Sequence, residues 1–342
     1  MKRLRSLFEA LARRRSLRPF KPVIETIAGI LLGNREATSE APHIRDRIEI
    51  KRYMSMVILA LAPAAVASVV FYGWKAVAMI AVSYVVGGIV EVLFALIRKK
   101  DIEEGFLVTG LIFPLILPPT APLWMVAVGS AFGVFFGKEV FGGTGRNIFN
   151  PALVGRIFIT IAFPELMSAR WQKPFTDAIT AATPLGLFKT ARELTPLRDL
   201  LLGQVTGSMG ELFRLGVLAG GLFLLVTRVA NWRVPLAYLG SVALLSWIGN
   251  LAAPNLIAPP LFQLLAGGLL FGAFFMATDP VSSPSTRAGK WVFGLGCGVV
   301  TLLIRHFSGF GEGVMFSILL MNAFAPLIDT VVLNTKYRMA RP

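Results

Sequence analysis

The sequence predicts an all-α membrane protein of about ten transmembrane helices, set out as two inverted five-helix repeats with short broken helices. Three observations lead there: the composition, the placement of the basic residues, and a pair of glycine-started apolar runs that recur in the two halves. Hydrophobic residues make up 55% of the 342 and charged residues only 15%, where a soluble domain carries about a quarter charged. The charges cluster, so stretches such as Met54–Trp74, Val77–Ile97 and Trp291–Ile304 are nearly free of them. A helix needs roughly 20 apolar residues to cross a hydrocarbon core, and shorter spans and Gly/Pro breaks are tolerated inside bundles.

Taken in order, the expected spans are 54–73, 76–97, 105–118, 122–141, 149–164, 212–228, 234–252, 261–277, 290–305 and 312–333. Starting with the N-terminus inside puts 25 Lys/Arg on the inner segments and 8 on the outer ones, with Arg156 within a span. This bias is the positive-inside pattern and places both termini in the cytoplasm. The chain then divides into a basic N-terminal segment (1–53), a first repeat (54–164), an outer-face loop (165–211), a second repeat (212–335) and a short tail (336–342). Within 1–53, Met1, Leu4, Leu7, Phe8 and Leu11 recur at helical spacing among arginines, which reads as an amphipathic helix on the membrane surface. No apolar stretch there suits a secretory signal.

An odd number of spans per half inverts the second half relative to the first. Gly105–Thr120 (GFLVTGLIFPLILPPT) and Gly267–Pro280 (GGLLFGAFFMATDP) both start at glycine and break at proline. Asn147–Ala152 (NIFNPA) and Met321–Pro326 (MNAFAP) follow in the same order.

The composition also excludes chemistry. The net charge of +15 sits about half in the first 53 residues, which suits anionic lipid rather than nucleic acid. A single cysteine, Cys297, cannot ligate an iron–sulfur cluster alone. Two distant histidines, His43 and His306, suggest no metal site. Gly142–Gly145 (GGTG) lacks the Lys-Ser/Thr of a phosphate loop and reads as a tight turn.

Three acids are read as lying at membrane depth: Glu91, Asp279 and Asp329. An ionisable group there costs about 2.5–3.5 kcal/mol on insertion scales, so each is a candidate for an ion path. Structural roles compete: Asp279 can cap a broken helix and Glu91 can pair with Arg156. Gly87 and Gly88, one turn before Glu91, open space for a neighbouring helix or a flat ring. In the outer loop, Asp177–Leu185 reads DAITAATPL. Pro184 holds Thr183 out of a helix interior, although a loop threonine is more often only a turn residue.

That stretch resembles the flavinylation motif Asp-x-x-Ser/Thr-Gly-Ala-Thr, with Asp177, Thr180, Ala182 and Thr183 matching and Ala181 replacing the glycine. Lys138–Arg156 (KEVFGGTGRNIFNPALVGR), Ala277–Pro284 (ATDPVSSP) and Gly313–Asp329 (GVMFSILLMNAFAPLID) extend the likeness over about residues 40–335. Together they resemble the NqrB/RnfD family, the homologous membrane subunits of the sodium-translocating NADH:quinone reductase and of the Rnf ferredoxin:NAD complex. His43–Arg52 and the KEVFGGTGRN run look like the quinone-reductase branch. The Ala-Thr-Pro-Leu run and the compact length look like the Rnf branch.

The resemblance implies FMN joined by a phosphoester to Thr183, attached by a separate flavin transferase, and electron transfer coupled to Na⁺ or H⁺ movement. It also implies partner subunits in a bacterial inner-membrane complex, a noncovalent riboflavin, and quinone near Gly87–Gly88. A urea-channel-like passive transporter and a non-redox scaffold are the competing classes; neither has a use for the threonine motif.

Overall fold

The computed structural model describes residues 50–99, 105–168, 170–176, 179–180 and 182–339. The amphipathic segment expected near residue 1 lies outside the described residues. The described chain is predominantly helical with almost no strand, and six of its helices are long and apolar enough to cross a membrane by length and composition.

The first five spanning helices are α1 (Ile50–Tyr72), α2 (Trp74–Arg98), α3 (Gly105–Leu115), α4 (Leu123–Gly137) and α5 (Pro151–Ala162). Asn150 caps α5: its side-chain oxygen accepts from Ala152 N at 3.1 Å and Leu153 N at 3.4 Å, with Pro151 at the first helical position. The expected loop at 165–211 is a folded unit with α6 (Pro164–Ser168), an antiparallel pair β1 (Trp171–Gln172) and β2 (Ile179–Thr180), α7 (Pro184–Ala191) and α8 (Leu197–Leu202). Its prolines and glycines hid these short elements from a periodicity reading, because none is long enough to show a period.

The second set is α9 (Arg214–Val226), α10 (Arg233–Ala252), α11 (Pro260–Leu265), α12 (Leu269–Phe271), α13 (Arg287–Phe307) and α14 (Val314–Met339). Helix α12 runs on through a π turn, Gly272–Met276, so the expected span 261–277 is a helix broken at Ala266–Gly268. Gly267 takes φ +69° at the break, a left-handed conformation that favours glycine.

The packing repeats. Helix α2 lies against α3 and α4, and α4 against α5; α10 lies against α11 and α13, and α13 against α14. Helices α1 and α9, the first of each set, pack on each other. Tyr72, at the end of α1, donates to Gln172 O of the loop unit at 3.3 Å. Arg214, at the start of α9, donates to Leu200 O in the same unit. The two sets therefore run in opposite senses, as an inverted repeat requires. The described chain starts and ends on the face opposite the loop unit.

Of the two sequence pairs, the first holds short helices in both halves. The second does not hold equivalent positions: Asn147–Ala152 is the entry to α5, whereas Met321–Pro326 lies inside α14. The turn at Gly142–Gly145 is tight as expected, with Gly142, Gly143 and Gly145 all at positive φ.

Side chains such as Leu59, Val85, Ile89, Leu244 and Val331 project outward, exposed, and form the apolar belt that lipid covers. Inside, small residues let backbones close. A Cβ added at Gly220 would lie 2.0 Å from Ala60 O, where α9 crosses α1. Gly220→Ala is expected to push these helices apart and cost about 1–3 kcal/mol or more. A lowered thermal midpoint in detergent checks it; an unchanged midpoint contradicts the close crossing.

Candidate functional site

Two cavities enter the helical bundle from opposite faces. The first opens on the loop face, with a cavity volume of about 190 Å³. Thr183 is on its wall, with Arg156 and Thr160 of α5, Trp171, Glu211, Glu312 and Phe310. Thr183 is extended (φ −95°, ψ 160°) and is the N-cap of α7, with Oγ1 accepting from Gly186 N at 3.1 Å. Pro184 sets this geometry by barring the helical conformation before it. Asp177 lies outside the described residues. The backbone of Thr180 is in β2; its side chain is not described.

The floor of this cavity is built on the broken helix. Arg214 donates to Leu265 O, and Arg305 donates to Gln263 O at 2.7 Å and Ala266 O at 3.0 Å. Gly268 N–H donates to Glu312. The carbonyls and amide freed by the break are thus satisfied by charged side chains, as irregular backbone inside a membrane bundle demands. Glu312 also pairs with Arg156 at 3.3 Å and lies 4.0 Å from Arg305. Glu211 accepts from Ser208 N at 2.9 Å through one oxygen. A Cβ at Gly268 would lie 2.9 Å from its other oxygen and 3.1 Å from Glu312. Burial, and then the Glu312 carboxylate, raise Glu211 above the usual carboxylate range, against the opposing pull of Arg214 and Arg156.

Sequence reasoning missed this cluster. Arg214 and Arg305 sit at span ends, where a charge reads as snorkelling to water. The available signal was Glu312, an acid flanked by Gly311 and Gly313 in a short connection between apolar spans.

The second cavity opens on the other face, with a volume of about 80 Å³. It is lined by Tyr53, Thr109, Lys138, Asn147, Asn150 and Asp279, among others. Asp279 accepts from Ser282 Oγ at 2.7 Å and Val281 N at 3.3 Å, so it caps its own turn while facing the cavity. Lys138 Nζ lies 2.6 Å from Glu91 Oε1, and both side chains are almost fully buried. The alternative partner for Glu91, Arg156, is instead paired with Glu312. The segment from Gly267 to Thr278 connects the cavities, since each end lines one of them. Phe271 and Phe275 lie along it with ring centroids 5.1 Å apart and planes tilted by 44°.

Two expected site positions lie elsewhere. Asp329 accepts from Ser285 N and Oγ, both at 2.7 Å, and from the backbone and hydroxyl of Thr286; it fixes the entry to α13 and lines neither cavity. Gly87 faces α4, where a Cβ would lie 3.0 Å from Ser130 Oγ; at Gly88 the nearest atom is Phe106 Cε2 at 3.8 Å, an ordinary contact. Neither glycine lines the two cavities.

Comparison with known proteins agrees with this architecture. The family model described as "NQR2, RnfD, RnfE family" matches residues 37–338. The B subunit of the Na(+)-translocating NADH-quinone reductase from Ectopseudomonas mendocina (strain ymp) is 47% identical, over 76% of this chain and 68% of that protein. The proteins of the same description from Pseudomonas aeruginosa (strain LESB58) and Yersinia pestis are 39% and 36% identical. They cover 94% and 95% of both chains, respectively. A match over residues 37–338, on a helical bundle with six helices of membrane-crossing length and shorter apolar helices among them, makes this chain a multi-pass membrane member of the NQR2, RnfD, RnfE family.

Proposed function

We propose that this chain is the flavin-carrying membrane subunit of an ion-translocating NADH:quinone oxidoreductase, with FMN held by a phosphoester on Thr183. The observation that carries this reading is the placement of the Thr183 hydroxyl at a helix N-terminus on the wall of the loop-face cavity. The residues suit such a group. A phosphodiester at this position would meet the positive end of α7. Gly186 keeps the space beside the hydroxyl open, since a Cβ there would lie 3.2 Å from Thr183 Oγ1. Trp171 and Phe310 give the cavity flat apolar walls. FMN bound there supplies one- or two-electron redox chemistry.

The protein's own part is to orient and to set charge. Arg156 and Arg305 keep positive charge under the cavity, with Glu312 fixed between them. Asp279 and the Glu91–Lys138 pair serve the opposite cavity, where a cation, Na⁺ or H⁺, would enter. In this reading the Gly267–Thr278 segment separates the two openings, and Asp329 supports the path by fixing the start of α13. Both termini face the cytoplasm of a bacterial inner membrane, and the loop unit with Thr183 faces outward. The subunit works with partner subunits, a flavin transferase matures it, and quinone and a noncovalent riboflavin bind in the assembly. An Rnf-type complex, passing electrons from ferredoxin to NAD⁺, is the related alternative within the family.

The test uses the complex purified through a tag on this chain. NADH-driven quinone reduction that Na⁺ or a proton gradient modulates, lost in Thr183→Ala with the partner subunits still co-purifying, supports the reading. Wild-type rates in that variant contradict it; reduction of NAD⁺ by ferredoxin in place of quinone reduction assigns the Rnf type.

A further inference from the structure

A third cavity, of about 190 Å³, lies beside the Thr183 cavity and shares Leu185 and Gly311 with it. It is walled by Lys189 of α7, Arg192 just past its end, Arg305 and His306 at the end of α13, and Gln263 of α11, and among the described residues no carboxylate lines it. Lys189 and Arg305 make their hydrogen bonds to neutral groups, and Glu312 lies 4.0 Å from Arg305. Lys189 Nζ donates to Ser308 O and, at 3.3 Å, to Phe310 O. Arg305 is 4% exposed, with Nη1 on Gln263 O and Oε1 and Nη2 on Ala266 O; its buried Nε has no hydrogen-bond partner. The guanidinium of Arg192 lies over the Phe188 ring at 5.8 Å.

Among the described residues, neither Lys189 nor Arg192 has a carboxylate within 4 Å. Glu312, the nearest to Arg305, is already engaged by Arg156 and by Gly268 N–H. Three cations gathered around one pocket with no lining acid make a strong positive potential, which an anion relieves.

The surroundings indicate which anion. Leu251 at the end of α10, Leu261 at the start of α11 and Phe307 at the end of α13 are 70%, 59% and 70% exposed. All three lie at the loop-face ends of lipid-covered helices, the depth at which headgroups sit. We propose that this cavity binds the phosphate of an anionic phospholipid headgroup, with the acyl chains lying along Leu251, Leu261 and Phe307. The site is separate from Thr183 and does not depend on a flavin there.

Native mass spectrometry of the full chain in detergent tests this, with phosphatidylglycerol, phosphatidylcholine and inorganic phosphate as probes. One phosphatidylglycerol is expected to be retained where phosphatidylcholine is not. Lys189→Gln combined with Arg192→Gln should weaken retention about tenfold. Lys189→Arg with Arg192→Lys should preserve it, and Thr183→Ala should leave it unchanged. Thermal unfolding in neutral detergent shows whether each variant is folded. Equal retention by the wild type and the folded charge-removing variant overturns the proposal. So does loss of retention in Thr183→Ala, which assigns the anion site to the flavin. Stabilisation by inorganic phosphate without lipid retention overturns the headgroup assignment and leaves a free-anion site.

Discussion

Thr183→Ala is expected to yield a protein that folds, assembles and carries no covalent flavin. The hydroxyl is the attachment atom in this account, and no neighbouring side chain on the N-terminal turn of α7 can replace it: residues 184–188 are Pro, Leu, Gly, Leu and Phe. Loss of the cap to Gly186 N costs about 0.5–2 kcal/mol, which a multi-pass bundle tolerates. Electron transfer through the subunit should therefore fall to background while the thermal midpoint moves little. Thr183→Ser keeps a hydroxyl in the same place and should keep the flavin. Flavin absorbance after denaturation and gel filtration separates the cases. Covalent flavin that persists in the alanine variant would remove Thr183 from the site.

The second large effect is expected at the Glu91–Lys138 pair. Its 2.6 Å contact is buried on both sides. Lys138→Met removes the cation 2.6 Å from the buried Glu91 carboxylate, and breaking such a pair from one side costs about 3–5 kcal/mol. Combining it with Glu91→Gln removes both charges and should recover most of that loss. Glu91→Gln alone should slow ion-coupled turnover and leave flavin attached. The readouts are the thermal midpoint for the three variants and the rate of cation uptake into vesicles. Additive destabilisation in the double variant would show that the two charges do not stabilise each other. Unaltered uptake in Glu91→Gln would take it off the ion path.

Six of the ten expected spans are single helices of membrane-crossing length, legible because hydrocarbon sets a length and an apolar composition that sequence displays directly; the other four are shorter or broken. Even the broken span showed itself, as a glycine-started run ending at Asp279-Pro280. What stayed hidden depends on how helices meet. Glu91 and Lys138 lie 47 positions apart, on α2 and just past the end of α4, and no spacing within one helix announces that pairing. Arg156 was the natural guess because it is charged within a span, yet α5 turns it toward Glu312. Asp329 looks the same in sequence as an ion ligand. Only the fold shows its oxygens taken up by Ser285 and Thr286. Thr183 was legible through its proline and the motif around it, but the cavity beside it is made by α5, the loop unit and the residues before α14, three regions distant in sequence.

The most direct test of the central claim is peptide mass spectrometry of this chain co-expressed with its flavin transferase. An FMN-sized increment is expected on the peptide containing Thr183, localised to that residue by fragmentation and absent from Thr183→Ala. An unmodified Thr183 peptide, from cells in which the same transferase labels a control substrate, would contradict it.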